Sequence, residues 1–404
     1  MAPEARRRVL WTCVLSTFAA YLCLLFLNPI YPEVARDLHL RPNTLSLMLA
    51  IAPALSVTMN LPVGIMADRL GRRPLLVAGG VLLIVSQLLV WAAFNPVLFA
   101  VSRVSLGFAI PFIASAAYAA VADAHPAGDR IQALGTVTAS VNLGQAAGYV
   151  ATALLAERLG WHLLALALAV VPVAMLLFAL RMPEPPAATV QAGLGAAVGD
   201  ALRFLARPAN AASALVATAV NGAGVSATFL LPFATHSQGL GTTTTALLLI
   251  VYLAAAALAA PMVGRLADRG SPRTLLGVCL FVAAASLAAF AFAGPAVAVI
   301  LPVYAIVGGT VAAAAALNTS LVVQAARKAG TGTGAALGGL RLGQVLGPAL
   351  VMPVSAALYT HYSLRTAVLM LAALPVAALV LTLVGRRRTD PDAELTGRPR
   401  TKSA

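Results

Sequence analysis

Long apolar runs alternate with short polar joints along nearly the whole chain. Each run contains about 20 apolar residues, which is the length that a helix needs to cross the hydrocarbon core of a bilayer. Glycine and proline inside the runs do not argue against helices, since close packing and neighbouring helices satisfy the freed backbone groups. The pattern predicts an all-α integral membrane protein with twelve transmembrane helices. Their approximate spans are 9–29, 44–63, 75–93, 97–120, 134–156, 162–180, 209–232, 244–263, 275–293, 296–322, 334–358 and 364–384.

Composition supports this class. Hydrophobic residues make up 60% of the chain and charged residues 10%, whereas a soluble domain has about 45–50% apolar and about 25% charged residues. The net charge of +14 raises the possibility of nucleic-acid binding. The basic residues follow one membrane face instead of clustering on one domain, so we expect no nucleic-acid partner.

Lysine and arginine are enriched in cytoplasmic loops, and this bias gives the orientation. Only Arg36, Arg41, Arg158 and Arg365 remain in the outer loops. Both termini are therefore predicted to be cytoplasmic, and the excess of Arg over Lys together with abundant Ala suggests a bacterial inner (plasma) membrane. The basic residues on the inner side are Arg6, Arg7, Arg8, Arg69, Arg72, Arg73, Arg130, Arg181, Arg203, Arg207, Arg265, Arg269, Arg273, Arg327, Lys328 and the tail from Arg386 to Lys402.

Catalytic or metal chemistry has little support in the sequence. The three cysteines lie in apolar spans, and four of the five histidines lie near outer loops without cysteine or paired-carboxylate neighbours. We therefore expect no enzyme activity, no catalytic residue, no metal and no cofactor. We also expect a monomer in the lipid bilayer that binds a small-molecule substrate.

An internal repeat of about 200 residues divides the chain. Asp68 matches Asp268, and the segment 144–148 matches 343–347. We predict an N-terminal six-helix bundle, a cytoplasmic linker, a C-terminal six-helix bundle and a disordered basic cytoplasmic tail. Their boundaries are 1–180, 181–208, 209–385 and 386–404.

One charged turn occurs in both halves, between the second and third spans of each. In the first half it comprises Gly64, Asp68, Arg69, Gly71, Arg72 and Arg73. In the second half Gly264, Asp268, Arg269 and Arg273 keep the skeleton, but Gly270 is shifted by one position and Pro272 replaces a basic residue. With this turn, residues 9–384 resemble the major facilitator superfamily, in particular its drug/proton antiporter branch with twelve spans.

The resemblance implies that the charged turn gates transport. Asp68 would face the start of the eleventh span near Gly334, where the helix dipole stabilises a carboxylate. Arg72 or Arg73 would pair with Asp123 at the inner end of the fourth span, and these contacts would hold the two halves together in the outward-open state. The alternative is that the charges only set the topology. Asp123 has Val322 as its counterpart, so the second half lacks this pair.

Two arginines lie inside predicted spans, where a charge is costly and therefore informative. Arg103 lies in a segment that resembles the family's fourth-span motif, which is associated with proton transfer; the alternative is that its side chain extends to the outer surface. Arg341 either receives an anionic substrate group or pairs with Asp68 or a carbonyl. The other polar candidates for the substrate or proton pathway are Tyr21, Asn28, Tyr118, Asn142, Gln145, Tyr149, Asn221, Thr228, Tyr304, Asn318 and Gln344.

The leading functional hypothesis is proton-coupled efflux of a hydrophobic or amphipathic compound by alternating access. No acidic residue lies deep in a span, so coupling is assigned to Glu33 or Asp37 at the outer end, with Arg103 nearby, and to Asp123 at the inner end. The fifth span departs from the antiporter signature, with Thr152 and Ala153 in place of two glycines. The alternative is an importer or facilitator of a small anionic or polar metabolite.

Overall fold

The computed structural model describes residues 1–184, 199, 208–293, 297–328 and 333–389. These residues form helices joined by short turns, with no strand among them. A 3-10 turn, Asn28–Ile30, separates the first two helices. The helices are α1 (Pro3–Leu25), α2 (Tyr31–Asp37), α3 (Pro42–Leu70), α4 (Arg72–Trp91), α5 (Pro96–Ala124), α6 (Ala127–Leu168), α7 (Val170–Leu180), α8 (Pro208–His236), α9 (Thr242–Arg269), α10 (Pro272–Ala293), α11 (Val297–Lys328), α12 (Thr333–His361) and α13 (Leu364–Thr389).

Helix lengths account for the twelve spans. Eleven stretches of the described residues are long and apolar enough to cross a membrane, and one of them, Gln132–Leu180, has 49 residues. At 1.5 Å per residue, that stretch is about twice as long as one bilayer crossing requires. It breaks at Gly160, whose φ of 70° and ψ of 164° fall in a region open almost only to glycine. The fifth and sixth spans therefore meet at Gly160, as the polar joint between 156 and 162 predicts.

The two halves pack by the same scheme. Helix α1 packs on α6, and its counterpart α8 packs on α12; α3 and α4 both pack on α5, as α9 and α10 both pack on α11. Repeat-equivalent glycines allow the close approach. A Cβ at Gly144 would overlap the carbonyl of Phe18, and a Cβ at Gly343 would overlap the carbonyl of Ala214. These pairs confirm two pseudo-symmetric six-helix bundles.

The halves meet through α3 with α12 and through α6 with α9. We call the end of the molecule with the start of α1 and the turn at Gly71 the basic end, and the other the opposite end. At the opposite end the halves are in contact, because Thr242 donates a hydrogen bond to Glu33 at 3.0 Å and Tyr31 packs on Phe229 with 5.6 Å between ring centroids. At the basic end Arg341 and Gly264 are exposed. The described residues thus place the halves in contact at the opposite end, while Arg341 and Gly264 lie exposed toward the basic end.

The predicted tail begins later than expected. Helix α13 continues to Thr389, so residues 386–389 are helical, because the apolar run carries the helix past the first arginines. Residues 390–404 and most of the predicted linker lie outside the described residues. The domain boundaries stay predictions.

Candidate functional site

The first charged turn is fixed by its backbone and by Glu184. Gly71 has φ 94° and ψ 169°, a conformation that glycine alone adopts readily. This turn points the first N–H groups of α4 at Glu184, whose carboxylate accepts from the backbone of both Arg72 and Arg73. The Arg73 guanidinium also donates to the carbonyl of Leu180. The start of the predicted linker is therefore bound to the turn.

The sequence predicts that either Arg72 or Arg73 pairs with Asp123, and in the structure the partner is Arg72. Its Nε donates to Oδ2 of Asp123 at 3.1 Å, and both side chains are largely buried. The pair joins α4 to α5 within the first bundle. The expectation that it holds the two halves together is therefore wrong for this contact, because both partners belong to the same half.

A contact across the halves would have to come from Asp68. The side chains of Asp68, Asp268 and Arg269 lie outside the described residues, as does the loop before α12, residues 329–332. Their gating role stays a prediction. Arg69 and Arg273 are exposed, and Gly64 has open space where a Cβ would project.

Arg103 is buried inside the first bundle. Its side chain is only 2% exposed, so the alternative of extension to the surface is wrong. Its Nε donates to Ser102 at 3.1 Å, and its guanidinium lies 5.0 Å from the centroid of the Phe99 ring. Among the described residues Nη2 has no hydrogen-bond partner and no carboxylate forms an ion pair with it. A buried charge with so little compensation is costly, and such groups mark functional sites.

Two aromatic rings connect Arg103 to the opposite end. Phe99 packs edge-on against Trp161 at 6.4 Å between centroids, and Trp161 Nε1 donates to Asp37 at 3.0 Å. Asp37 also accepts from the exposed Arg36 at 3.3 Å. The structure thus brings Asp37 and Arg103 into one chain of contacts. Glu33 lies apart from this chain, on the contact between halves with Thr242.

A second group combines residues of both halves around the exposed Arg341. The Arg341 guanidinium lies 5.9 Å from the centroid of the Tyr118 ring, and Tyr21 is within electrostatic range of both. Tyr118 shares a hydrogen bond of 3.1 Å with Thr138, on a surface that is exposed. These side chains come from α1, α5, α6 and α12, so they face the space between the bundles. The role of Arg341, as a substrate contact or as a structural partner, stays a prediction.

Asn28 and Tyr149 form a further contact within the first half. The Asn28 amide donates to the Tyr149 hydroxyl at 3.3 Å, and both residues are buried. The Asn28 Oδ1 has no hydrogen-bond partner among the described residues. Tyr252, which the sequence reading missed, lies within electrostatic range of Tyr149 from the other half. An unsatisfied buried amide oxygen beside the Tyr149 hydroxyl is suited to a ligand that donates a hydrogen bond.

The remaining candidates divide into two sets. Four donate to backbone carbonyls, which favours a structural role: Asn221 to Ala217, Thr228 to Val225, Tyr304 to Ala227 and Asn318 to Ser213. Three are half-buried on α6 and α12: Asn142, Gln145 and Gln344. Their part in the pathway stays a prediction.

Sequence reasoning missed Glu184, Trp161 and Tyr252. Glu184 stands in the proline-rich stretch predicted as a linker, and no motif or repeat singled out Trp161 or Tyr252. A weak signal existed only for Glu184, the first carboxylate after the sixth span. Its two partners lie 112 and 111 residues away, so no local pattern pairs them.

Two bacterial proteins share part of this sequence. The multidrug resistance protein MdtM of Salmonella typhimurium is 31% identical over 185 residues, which are 45% of this chain and 43% of MdtM. An uncharacterized MFS-type transporter of Bacillus subtilis, YybF, is 28% identical over 171 residues, 42% of this chain and 41% of YybF. The chain thus matches less than half of the length of either relative.

Solved structures share the whole fold. A bacterial homologue of the human lysosomal transporter Spinster, in an inward-facing and unoccupied conformation, superimposes with a TM-score of 0.79 at 18% identity, over 96% of this chain and 98% of that one. The nucleoside transporter NupG gives a TM-score of 0.77 at 15% identity, over 94% and 99%. The family model of the Major Facilitator Superfamily matches residues 13–348. The chain therefore belongs to the major facilitator superfamily of membrane transporters.

Proposed function

We propose that the protein exports a hydrophobic or amphipathic small molecule from the cytoplasm in exchange for protons, by alternating access. In this proposal the basic end faces the cytoplasm, and the described conformation is the inward-facing one. Partial similarity to a multidrug resistance protein supports the direction of transport.

The group of Tyr21, Tyr118 and Arg341 carries the proposal. It offers two aromatic rings and one cation, contributed by both halves, with the cation exposed toward the basic end. Aromatic faces bind apolar ring systems, and an arginine binds electron-rich or anionic groups. A site divided between two rocking halves changes shape when they move, which alternating access requires.

Proton coupling is assigned to the carboxylates at the opposite end. Glu33 accepts a hydrogen bond from Thr242 across the halves, and protonation of Glu33 weakens that acceptor. Protonation from the outer side would therefore favour opening there. Asp37 connects through Trp161 and Phe99 to the buried charge of Arg103, so its charge state acts on the interior of the first bundle.

Coupling is tested in inside-out vesicles with a labelled panel of anionic, neutral and cationic amphipathic compounds. A protonophore, or the triple variant Glu33→Gln/Asp37→Asn/Asp123→Asn, should abolish accumulation against a gradient while exchange down a gradient continues. The exposed Asp129→Asn serves as the control. Undiminished uphill transport in either experiment would refute proton coupling.

An importer of a small anionic metabolite is the second candidate, because Arg341 is exposed toward the basic end. Arg341→Gln should weaken binding of anionic members of the panel about three- to tenfold more than neutral ones. Arg365→Gln is the matched control, since Arg365 also lies over a ring, that of Phe292 at 4.2 Å, but away from the site. Unchanged selectivity with a lower folding yield would assign Arg341 a structural role.

A further inference from the structure

A cavity at the basic end lies between α1 and α7, away from the space between the bundles. Its volume is about 850 Å³. It is lined by Glu4, Arg7, Arg8, Trp11, Thr12, Ala174, Leu177, Phe178 and Arg181. Neither the gating turn nor the aromatic group with Arg341 contributes a side chain to it.

The two walls of this cavity are helix faces with the same spacing. Residues 4, 7, 8 and 11 line one wall and residues 174, 177, 178 and 181 the other, which in both cases is i, i+3, i+4 and i+7. This spacing places each set on one side of its helix. The two helices run in opposite directions, so the charged ends of both sets meet at the basic end and their apolar ends point into the bilayer.

Charge and polarity divide along the depth of the cavity. Arg7, Arg8 and Arg181 are exposed at its outer rim, with Glu4 as the one acidic residue. Ala2, at the N-terminus of α1, provides no side-chain cap, so the first N–H groups of that helix add positive potential. Deeper in the cavity Trp11, Leu177 and Phe178 are each about half exposed, at 52%, 51% and 53%. Tryptophan prefers the depth of lipid headgroups.

We propose that this cavity binds an anionic phospholipid of the cytoplasmic leaflet. The three arginines bind the phosphate and the headgroup charge, and the apolar face of Leu177 and Phe178 takes an acyl chain. A second surface groove at the basic end provides the contrast. It lies between α10 and α13, measures about 330 Å³ and has Arg273 as the single arginine among its described lining residues.

Fluorescence of Trp11 tests the assignment in the full-length protein. The protein is reconstituted into vesicles of phosphatidylcholine that contain one brominated lipid, either brominated phosphatidylglycerol or brominated phosphatidylcholine. Brominated acyl chains quench tryptophan fluorescence on contact. Subtracting the signal of Trp11→Phe isolates Trp11 from Trp91 and Trp161. We expect an apparent affinity about tenfold or more higher for the brominated phosphatidylglycerol.

Two triple variants complete the test. Arg7→Gln/Arg8→Gln/Arg181→Gln should remove the preference, whereas Arg36→Gln/Arg41→Gln/Arg158→Gln, which removes the same charge from exposed positions at the opposite end, should keep it. Equal quenching by the two brominated lipids in the wild-type protein would by itself overturn the proposal. Release of the brominated phosphatidylglycerol by inorganic phosphate would overturn it too, in favour of a site for a free anion.

Discussion

The two copies of the charged turn have a common position in the fold and different chemistry. In the first copy Gly71 adopts a glycine-only conformation, Glu184 binds the start of α4, and Arg72 pairs with Asp123. In the second copy Gly270 is extended, with φ −137° and ψ −166°, and Arg273 is exposed beside a surface groove. Val322 stands where an Asp123 counterpart would be.

The comparison separates the features of the turn that the fold requires from those that we expect to control transport. Both copies connect the same pair of spans, so the bundle forms with either turn. Only the first copy carries a network of charges within the described residues. We expect control of transport to depend mainly on the first half, and three variant pairs can break or sharpen this asymmetry.

The largest expected effect is on transport. Asp68→Asn should lower transport about tenfold at unchanged membrane levels, because Asn keeps the size but removes the charge predicted to face a helix N-terminus. Asp268→Asn should have a milder effect, since in its turn Gly270 is shifted by one position and Pro272 replaces a basic residue. Initial rates in vesicles, normalised to the amount of inserted protein, give the measurement. Equal transport by Asp68→Asn and the wild type would exclude the gating role.

The second pair concerns backbone conformation. Gly71→Ala should destabilise the protein by about 1–3 kcal/mol, because a Cβ is strained at this φ and would lie 2.6 Å from Glu184 Oε1. Gly270→Ala should cost little, as its backbone is extended. Gly160→Ala is a further control, with similar backbone angles but open space around the Cβ. Thermal unfolding in detergent ranks the stabilities of the three variants. A loss of stability in Gly270→Ala as large as that in Gly71→Ala would contradict the asymmetry.

The smallest expected effect compares the two helix starts. Glu184→Gln should cost about 1 kcal/mol, because a neutral amide is a weaker acceptor for the N–H groups of α4. Ser271→Ala should cost less, since Ser271 accepts only one long hydrogen bond, from Thr274 N at 3.4 Å at the start of α10. The same unfolding assay measures both. A larger loss of stability in Ser271→Ala than in Glu184→Gln would show that the second turn contributes more to stability than the first.

Much of the site was accessible from the sequence through its repeat and its rare charges. The pairing of Arg72 with Asp123 follows the expectation from the motif. Tyr21, Tyr118 and Arg341 were separate candidates, and their grouping comes from the structure. The sequence could not place Arg103 in the interior rather than at the surface, because that choice depends on the rotation of α5 about its axis. For the same reason it could not distinguish Tyr304, which bonds to a carbonyl, from residues that face the cavity.

The sequence alone determined the membrane class, the twelve spans, the duplicated organisation and the position of the charged turns. Each of these rests on a local property, since about 20 consecutive apolar residues specify a crossing whatever the rest of the chain does. Only the tertiary structure decided which polar groups meet. Glu184 at the turn, Trp161 between Asp37 and Phe99, and the arginines beside Trp11 come together from distant parts of the chain. Such contacts are set by how helices rotate and pack against one another, and in a bilayer that packing depends on small-residue fit more than on hydrophobicity.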